Sequence, residues 1–202
     1  MLTLPLLRKM LNRAGTELKA NSKYLCELDS VAGDGDHGIT IGRMADVMKE
    51  KTEDTTIDTM RVLLDELGDA FMGINGGSAG PLWGTVFTGM AEGIDDQAEL
   101  TDLELRKMFT QAKEDFMDIS KAKPGDKTMV DALYPAIDAI IETQGNLKEI
   151  MTAAAADGGA EQTSTMVARF GRAKNMGERS IGTKDPGAVS IAILFNGMAQ
   201  AL

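Results

Sequence analysis

Apolar residues recur at helical spacing along most of the chain, and this periodicity constrains the fold more than any other feature. Leu7, Leu11, Ala14 and Leu18 share one helical stripe, and a second stripe occupies residues 60–71. Aromatic residues make up only 4% of the sequence, and alternating Val/Ile runs are scarce. Strands are disfavoured by such a composition. The pattern therefore predicts an all-α fold.

Capping residues indicate where several helices begin. Thr101 with Glu104 has the spacing of a capping box, and Asp185 followed by Pro186 is typical of an N-cap and a first-turn proline. Pro135 is expected to kink the helix that contains it. No Pro/Gly/Ser-rich linker divides the chain, so residues 1–202 are predicted to form one domain. Eight helices, with antiparallel neighbours, are predicted near residues 3–25, 38–51, 55–72, 79–92, 102–119, 127–143, 147–170 and 187–201.

The acidic balance of the chain excludes some partners. A formal net charge of −10 argues against nucleic acid and against an anionic membrane surface. It allows a nucleotide if a divalent cation lies between the two anions. The chain begins without a signal-peptide pattern, has no apolar run of about 20 residues, and contains one cysteine, Cys26. These features predict a soluble, cytoplasmic protein without an intrachain disulfide.

The segment at residues 29–38 reads DSVAGDGDHG and carries the strongest chemical signal. Its glycines permit unusual backbone angles, which allow Asp34 and Asp36 to turn toward a common point. Asp29, at the end of the first helix, can supply a third carboxylate. Hard oxygen ligands of this kind suit Mg²⁺ or Ca²⁺. An acidic turn that caps the next helix is the alternative.

Three other motifs fail on this segment. Gly33, Gly35 and Gly38 match G-x-G-x-x-G, but no strand precedes them, so a dinucleotide fold is rejected. An EF-hand would need a glutamate where Ala45 stands. A Walker loop needs Gly-Lys, which the chain lacks.

Three glycine-containing loops and the single histidine are further candidates. Residues 73–81 form a small-residue loop before a helix, which suits phosphate binding, with a flexible turn as the alternative. Residues 171–187 form a long polar loop, either functional or simply solvated. Residues 123–129 form a turn that could close on a base or ribose. His37 is interpreted as a phosphate contact rather than a general base, a phosphohistidine or a polar turn residue.

Taken together, these segments resemble the ADP-binding L subunits of bacterial dihydroxyacetone kinases and the related C-terminal domains of ATP-dependent dihydroxyacetone kinases. The matching pieces follow in order along nearly the whole chain, and their joint order and spacing are highly specific. They are Asp29 with residues 33–38, then 76–80, 124–129, 171–173, 177–182 and 185–188.

The resemblance implies a fold and a set of site residues. The fold is a barrel of eight antiparallel helices with the nucleotide at one end. Two Mg²⁺ ions would be held by Asp29, Asp34 and Asp36 against the ADP phosphates. Arg172 or Arg179 would stabilise the transferring group, with Arg172 preferred, and Lys184 is not carried over. The nucleotide contacts it implies are His37, Gly38, Ile39, Thr40, Gly77, Ser78, Ser120, Met129, Arg172, Asp185, Pro186 and Gly187.

The resemblance also implies an activity and partners. Because the chain ends at Leu202 without a dihydroxyacetone-binding domain, we expect the separate subunit of a phosphotransferase-system-dependent kinase. A phosphohistidine on the multiphosphoryl-transfer M subunit would phosphorylate bound ADP, and the resulting ATP would phosphorylate dihydroxyacetone on the K subunit. Two alternatives stay open, an ATP-dependent subunit that exchanges its nucleotide and a non-catalytic cation-binding module. A homodimer is also left open.

Overall fold

Helices make up nearly all of the regular secondary structure in the described residues, which confirms the all-α prediction. In the computed structural model, which describes residues 1–155 and 158–202, these residues form ten α-helices and two short strands. The strands, β1 (Leu2–Thr3) and β2 (Glu99–Leu100), pair antiparallel. Two 3₁₀ helices cover Thr163–Thr165 and Arg172–Ser180. The α-helices are α1 (Leu4–Ala20), α2 (Ser22–Asp29), α3 (His37–Glu53), α4 (Met60–Met72), α5 (Ala79–Glu92), α6 (Asp102–Ile119), α7 (Val130–Glu142), α8 (Leu147–Ala155), α9 (Gly159–Gln162) and α10 (Pro186–Gln200).

Two predicted helices are each divided in the structure. The predicted helix 3–25 breaks at Asn21, whose Nδ2 donates to the Glu17 carbonyl at 2.9 Å and so competes with the helical ladder. The prediction of a helix over 147–170 was wrong beyond α9. There the Thr163 hydroxyl donates to the Ala160 carbonyl at 2.6 Å, and the chain turns into a 3₁₀ helix. Residues 156–157 of that prediction lie outside the described residues.

Other boundaries differ because a local side chain or backbone angle sets them. α4 begins at Met60 rather than near residue 55. Thr59 caps this start, because its hydroxyl accepts from the Val62 N–H at 3.1 Å. α7 begins at Val130 rather than 127, because Lys127 has φ +60°, which a helix cannot accommodate. The capping box that opens α6 is present as predicted.

Helix packing brings the first and last helices of the fold together. α1 packs against α3 and α10, and Gly197 lies so close to α1 that an added Cβ would come within 2.5 Å of the Ala14 Cα. The other main contacts are α2 with α3, α3 with α4, α4 with α5, α5 with α6, α6 with α7, α7 with α8, and α8 with α10. Closure of eight antiparallel helices into a barrel stays a prediction, as does the single domain.

The core is apolar and joins nearly every helix. Phe71 is its aromatic centre, packing edge-on against Phe87 with ring centroids 5.0 Å apart and against Trp83 at 6.4 Å. Within residues 1–155 and 158–202, no helix has both the length and the apolar character needed to cross a bilayer. The cytoplasmic location stays a prediction.

Candidate functional site

Three carboxylates converge where α2 ends and α3 begins. Asp29 is the last residue of α2, and Asp36 directly precedes α3. Asp29 Oδ2 accepts from the backbone N–H groups of Asp36 at 3.0 Å and His37 at 3.3 Å, which folds the intervening loop back on itself. Asp29, Asp34 and Asp36 each offer an oxygen, and these oxygens lie within 4.8 Å of one another. The predicted metal ligands are therefore side by side.

The charges in this cluster are compensated unevenly. The Arg172 guanidinium forms an ion pair with Asp34, and this hydrogen bond holds the pKa of Asp34 below its usual value. Desolvation first, and the charge of Asp34 second, raise the pKa of Asp36. Three carboxylates with one guanidinium between them leave a net negative site, which a divalent cation would stabilise.

The His37 ring is fixed against α10. Its Nε2 lies 3.2 Å from the Ser190 hydroxyl, which itself donates to the Gly187 carbonyl at 2.8 Å. This contact and a backbone hydrogen bond with Pro186 fix the ring beside α10. Burial lowers the pKa of His37, and the charge of Asp29 opposes that shift only in part. The imidazole is thus neutral at pH 7 and available as a hydrogen-bonding group beside the carboxylates.

The small-residue loop before α5 rests directly on α3. A Cβ on Gly76 would come within 2.1 Å of the Thr40 hydroxyl, and Thr40 is buried on α3. The Arg43 guanidinium donates to the Asn75 carbonyl at 3.0 Å and ties down the same loop. The absence of a side chain at Gly76 therefore sets how closely the loop approaches α3.

Gly76→Ala is expected to push this loop off α3. The binding of Mg²⁺–ADP that the sequence predicts should then weaken about tenfold or more, because a shift near 1 Å misaligns the groups that hold a ligand. Isothermal titration calorimetry measures the affinity. Gly73→Ala is the matched control, since an added Cβ there meets only ordinary contacts at 3.5 Å or more. Equal affinities for the two variants would contradict the expectation.

A cavity of about 560 Å³ opens beside the carboxylates. Its volume lies within the range of small-molecule sites. Acidic and glycine-containing loops form one side, and the apolar side chains of Leu82, Trp83, Phe116 and Met129 form another. A ligand with a flat apolar end, whose anionic end carries a divalent cation, therefore fits this lining.

Most predicted site residues line this cavity. Gly38, Ile39 and Thr40 are outside its lining: Gly38 packs on the Ser22 carbonyl, Ile39 is exposed, and Thr40 lies behind Gly76. Arg179 is also outside the lining, whereas Arg172 is part of it. The predicted residues that line the cavity are Asp29, Asp34, Asp36, His37, Gly77, Ser78, Ser120, Met129, Arg172, Asp185, Pro186 and Gly187.

Three lysines that the sequence did not assign to the site line the cavity: Lys121, Lys127 and Lys184. Lys184 forms an ion pair with Glu161 at the edge. Lys127 is only 4% exposed, and its backbone has φ +60°, a conformation that costs a non-glycine residue about 1–2 kcal/mol. A lysine in a polar turn normally faces water, and the sequence pattern assigned Lys127 no role of its own within the turn of residues 123–129. Its position within the matched segment 124–129 was the one available signal.

Asp185 closes the cavity at the start of α10. Its carboxylate accepts from the Ala188 N–H at 2.7 Å, and its own N–H donates to the Thr163 hydroxyl at 2.9 Å. Desolvation raises the pKa of Asp185 to about 7. The N-cap predicted from the sequence is confirmed, and it holds a carboxylate in a poorly solvated position.

The pH dependence of stability is expected to report on Asp185. The folded carboxyl binds a proton up to about pH 7, whereas the unfolded one loses it near the ordinary aspartate pKa of 3.8. The contribution of Asp185 to the free energy of unfolding therefore falls as the pH rises from about 4 to about 7. Asp185→Asn keeps a capping oxygen but has no titrating carboxyl. It should therefore reduce the loss in free energy of unfolding between pH 5 and pH 8. Urea unfolding in chelator at pH 5 and pH 8 tests this; an unchanged difference between the two pH values would refute it.

Comparisons with known proteins identify relatives over nearly the full chain. The model of the DAK2 domain family matches residues 31–200. The ADP-binding subunit DhaL of the PEP-dependent dihydroxyacetone kinase of Escherichia coli K12 is 34% identical over 196 residues, which cover 95% of this chain and 93% of that protein. The corresponding subunit of kinase 1 of Listeria innocua is 35% identical over 194 residues, with the same two coverages.

Larger proteins match over about a third of their length. The L-erythrulose kinase of Pectobacterium atrosepticum is 35% identical over 95% of this chain, which spans 34% of that protein. The crystal structure of the dihydroxyacetone kinase of C. freundii in complex with AMP-PNP and Mg²⁺ superposes with a TM-score of 0.74 and 26% identity, covering 98% of this chain and 34% of that one.

Proposed function

The chain belongs to the DAK2 domain family, and on that premise we propose that it is the nucleotide-binding subunit of a dihydroxyacetone kinase. Held ADP receives a phosphoryl group and passes it on to dihydroxyacetone. One observation carries the proposal: the carboxylates of Asp29, Asp34 and Asp36 converge at the side of a cavity of about 560 Å³. The E. coli ADP-binding subunit, which this chain matches over 93% of that protein's length, supports the nucleotide-binding role.

The three carboxylates fit magnesium by charge and by donor type. Their oxygens lie within 4.8 Å of one another, and carboxylate oxygen is a preferred ligand of Mg²⁺. Bound there, two Mg²⁺ ions would neutralise the diphosphate and align it for transfer. A cation on Asp34 competes with the Arg172 guanidinium for the same carboxylate. Binding of the metal would therefore release Arg172 to face the nucleotide phosphates.

The remaining walls of the cavity suit the other parts of a nucleotide. Ser78 lies at the start of α5, where the helix N-terminus favours phosphate, and Gly77 permits close approach. Trp83, Phe116 and Met129 offer an apolar surface for the base. Arg172 would stabilise the transferring phosphoryl group, and no residue of the chain need act as a covalent nucleophile.

The partners follow from this function. We propose that the phosphoryl donor is a phosphohistidine on a multiphosphoryl-transfer M subunit, and that dihydroxyacetone is held on a separate K subunit. Support comes from relatives that are named as subunits of PEP-dependent or PTS-dependent dihydroxyacetone kinases. A relay of this kind keeps its ADP through many turnovers.

Denaturing the purified protein and identifying the released small molecules tests the function. We expect one ADP and two Mg²⁺ per chain, measured by chromatography, mass spectrometry and metal analysis. Protein that carries a cation but no nucleotide would favour a cation-binding module. Rapid exchange of labelled ADP with free ATP would favour an ATP-dependent subunit that exchanges its nucleotide.

A further inference from the structure

Lys127 is buried, and its ammonium group donates all of its hydrogen bonds to one loop. Its Nζ donates to the Ser180 and Thr183 carbonyls at 2.5 Å each and to the Met166 carbonyl at 3.4 Å. An ammonium group has three N–H donors. All three therefore go to backbone carbonyls of residues 166–183, which we call the Arg172 loop.

The bonds of Lys127 join the two ends of the Arg172 loop. Met166 lies before Arg172, and Ser180 and Thr183 lie after it. Two further bonds close the same base: the Ala168 N–H donates to the Ser180 hydroxyl at 2.9 Å, and the Gly182 N–H donates to the Ser164 carbonyl at 2.8 Å. The base of the loop is thus clamped, and the segment with Arg172 projects from it.

The segment between the clamped ends has backbone positions that favour movement. Gly171 and Gly177 flank most of it, both at positive φ, and an added Cβ at either would meet nothing within 4 Å. The Arg172 side chain is 63% exposed. The ion pair with Asp34 therefore holds the guanidinium at the acidic cluster, and the clamped base sets where the segment leaves the body of the protein.

The backbone angle at Lys127 indicates that this position needs a lysine side chain, since glycine would fit the angle better. Among the described residues, Lys127 is the sole non-glycine with positive φ. Glycine would adopt this angle without strain. The turn is built around it, since Asp131 accepts from the Gly125 N–H at 2.5 Å and from the Thr128 N–H at 2.8 Å. The strained angle aims the ammonium at the loop.

We propose that Lys127 is a positioning residue for phosphoryl transfer: it clamps the base of the Arg172 loop and so holds Arg172 at the carboxylate cluster. It acts through Arg172 and touches neither the metal nor the transferring group. This inference rests on the proposed function, because it assigns Arg172 its role in that reaction.

Lys127→Met, which keeps the stem and removes the ammonium, tests the clamp directly. Hydrogen exchange of the amides in residues 166–183 is expected to quicken at least tenfold, while exchange in α4 and α5 stays unchanged. Lys123→Met is the matched control, since Lys123 is exposed on the same turn. Unchanged exchange in Lys127→Met would overturn the proposal. If Lys127→Met does not fold, Lys127→Gln replaces it under the same criterion.

Transfer kinetics separate a positioning role from a purely structural one. With the complete set of kinase subunits, Lys127→Met should lower kcat for dihydroxyacetone phosphorylation about tenfold or more with little change in the KM for dihydroxyacetone, and Lys127→Arg should restore part of it. In an Arg172→Ala background the same substitution should have almost no further effect. An equal loss in both backgrounds would overturn the proposal. Wild-type protein without bound ADP or activity would instead overturn the proposed function.

Discussion

Asp34→Ala is expected to abolish phosphoryl relay and to release both the metal and ADP. Asp34 is one of the three clustered carboxylates, so its removal leaves only the Asp29 and Asp36 oxygens of the cluster to hold the cation. A ligand present at about 100 times its Kd raises the melting temperature of a 150–250-residue chain by roughly 5–11 °C. The Asp34→Ala variant should not show this rise in melting temperature when Mg²⁺–ADP is added. Differential scanning fluorimetry with Mg²⁺–ADP and nucleotide analysis of the purified protein measure both effects.

The control experiment repeats the melting curves in excess chelator without nucleotide. Asp34 is exposed and its ion pair with Arg172 is at the surface, so wild type and Asp34→Ala should then melt close together. Asp58→Ala, an exposed carboxylate outside the cluster, should behave as wild type in both conditions. A variant that still relays phosphoryl groups and keeps its bound ADP would remove the basis for the metal site.

Arg172→Ala is expected to slow phosphoryl transfer about a thousandfold, in the range found when an arginine that stabilises the transferring group is removed. Retention of ADP should fall much less, because the carboxylates and the loop before α5 remain. Single-turnover transfer and equilibrium binding, measured on the same preparation, separate the two effects. Arg172→Lys should lie between wild type and Arg172→Ala, since it keeps the charge and loses the planar fork.

Arg179→Ala is the matched comparison for this prediction. Both arginines lie in the same 3₁₀ segment and both are exposed, but only Arg172 lines the cavity and pairs with Asp34. We expect Arg179→Ala to transfer phosphoryl groups at the wild-type rate. A larger loss in Arg179→Ala than in Arg172→Ala would reverse the assignment of the two residues.

The sequence predicted the parts of the site that depend on local pattern. The spacing of Asp29, Asp34 and Asp36 around glycines indicated a shared cation, and the Asp185 cap was visible in the order Asp-Pro-Gly. Lys127 could not be placed in this way. Its burial results from contacts with carbonyls 39–56 residues away along the chain, which no local pattern encodes.

The same limit explains the wrong helix over 147–170. Its residues have good helix propensity up to Ala155, and Gly158 and Gly159 follow after the two residues outside the described part. Beyond them, the Thr163 hydroxyl donates to the Ala160 carbonyl and accepts a hydrogen bond from the Asp185 N–H at 2.9 Å. A contact with the start of α10 thus overrides the local preference, because tertiary packing outweighs weak propensities.

The packing of Gly197 against Ala14 has a consequence for biosynthesis. α10 leaves the ribosome after every other described helix, yet it supplies Asp185 to Gly187 and the partner surface of α1. A nascent chain without α10 therefore exposes the apolar side of α1 and lacks one wall of its cavity. We expect nucleotide to be captured only after translation of α10 is complete, so ribosome-bound intermediates would depend on chaperones rather than on the ligand for protection.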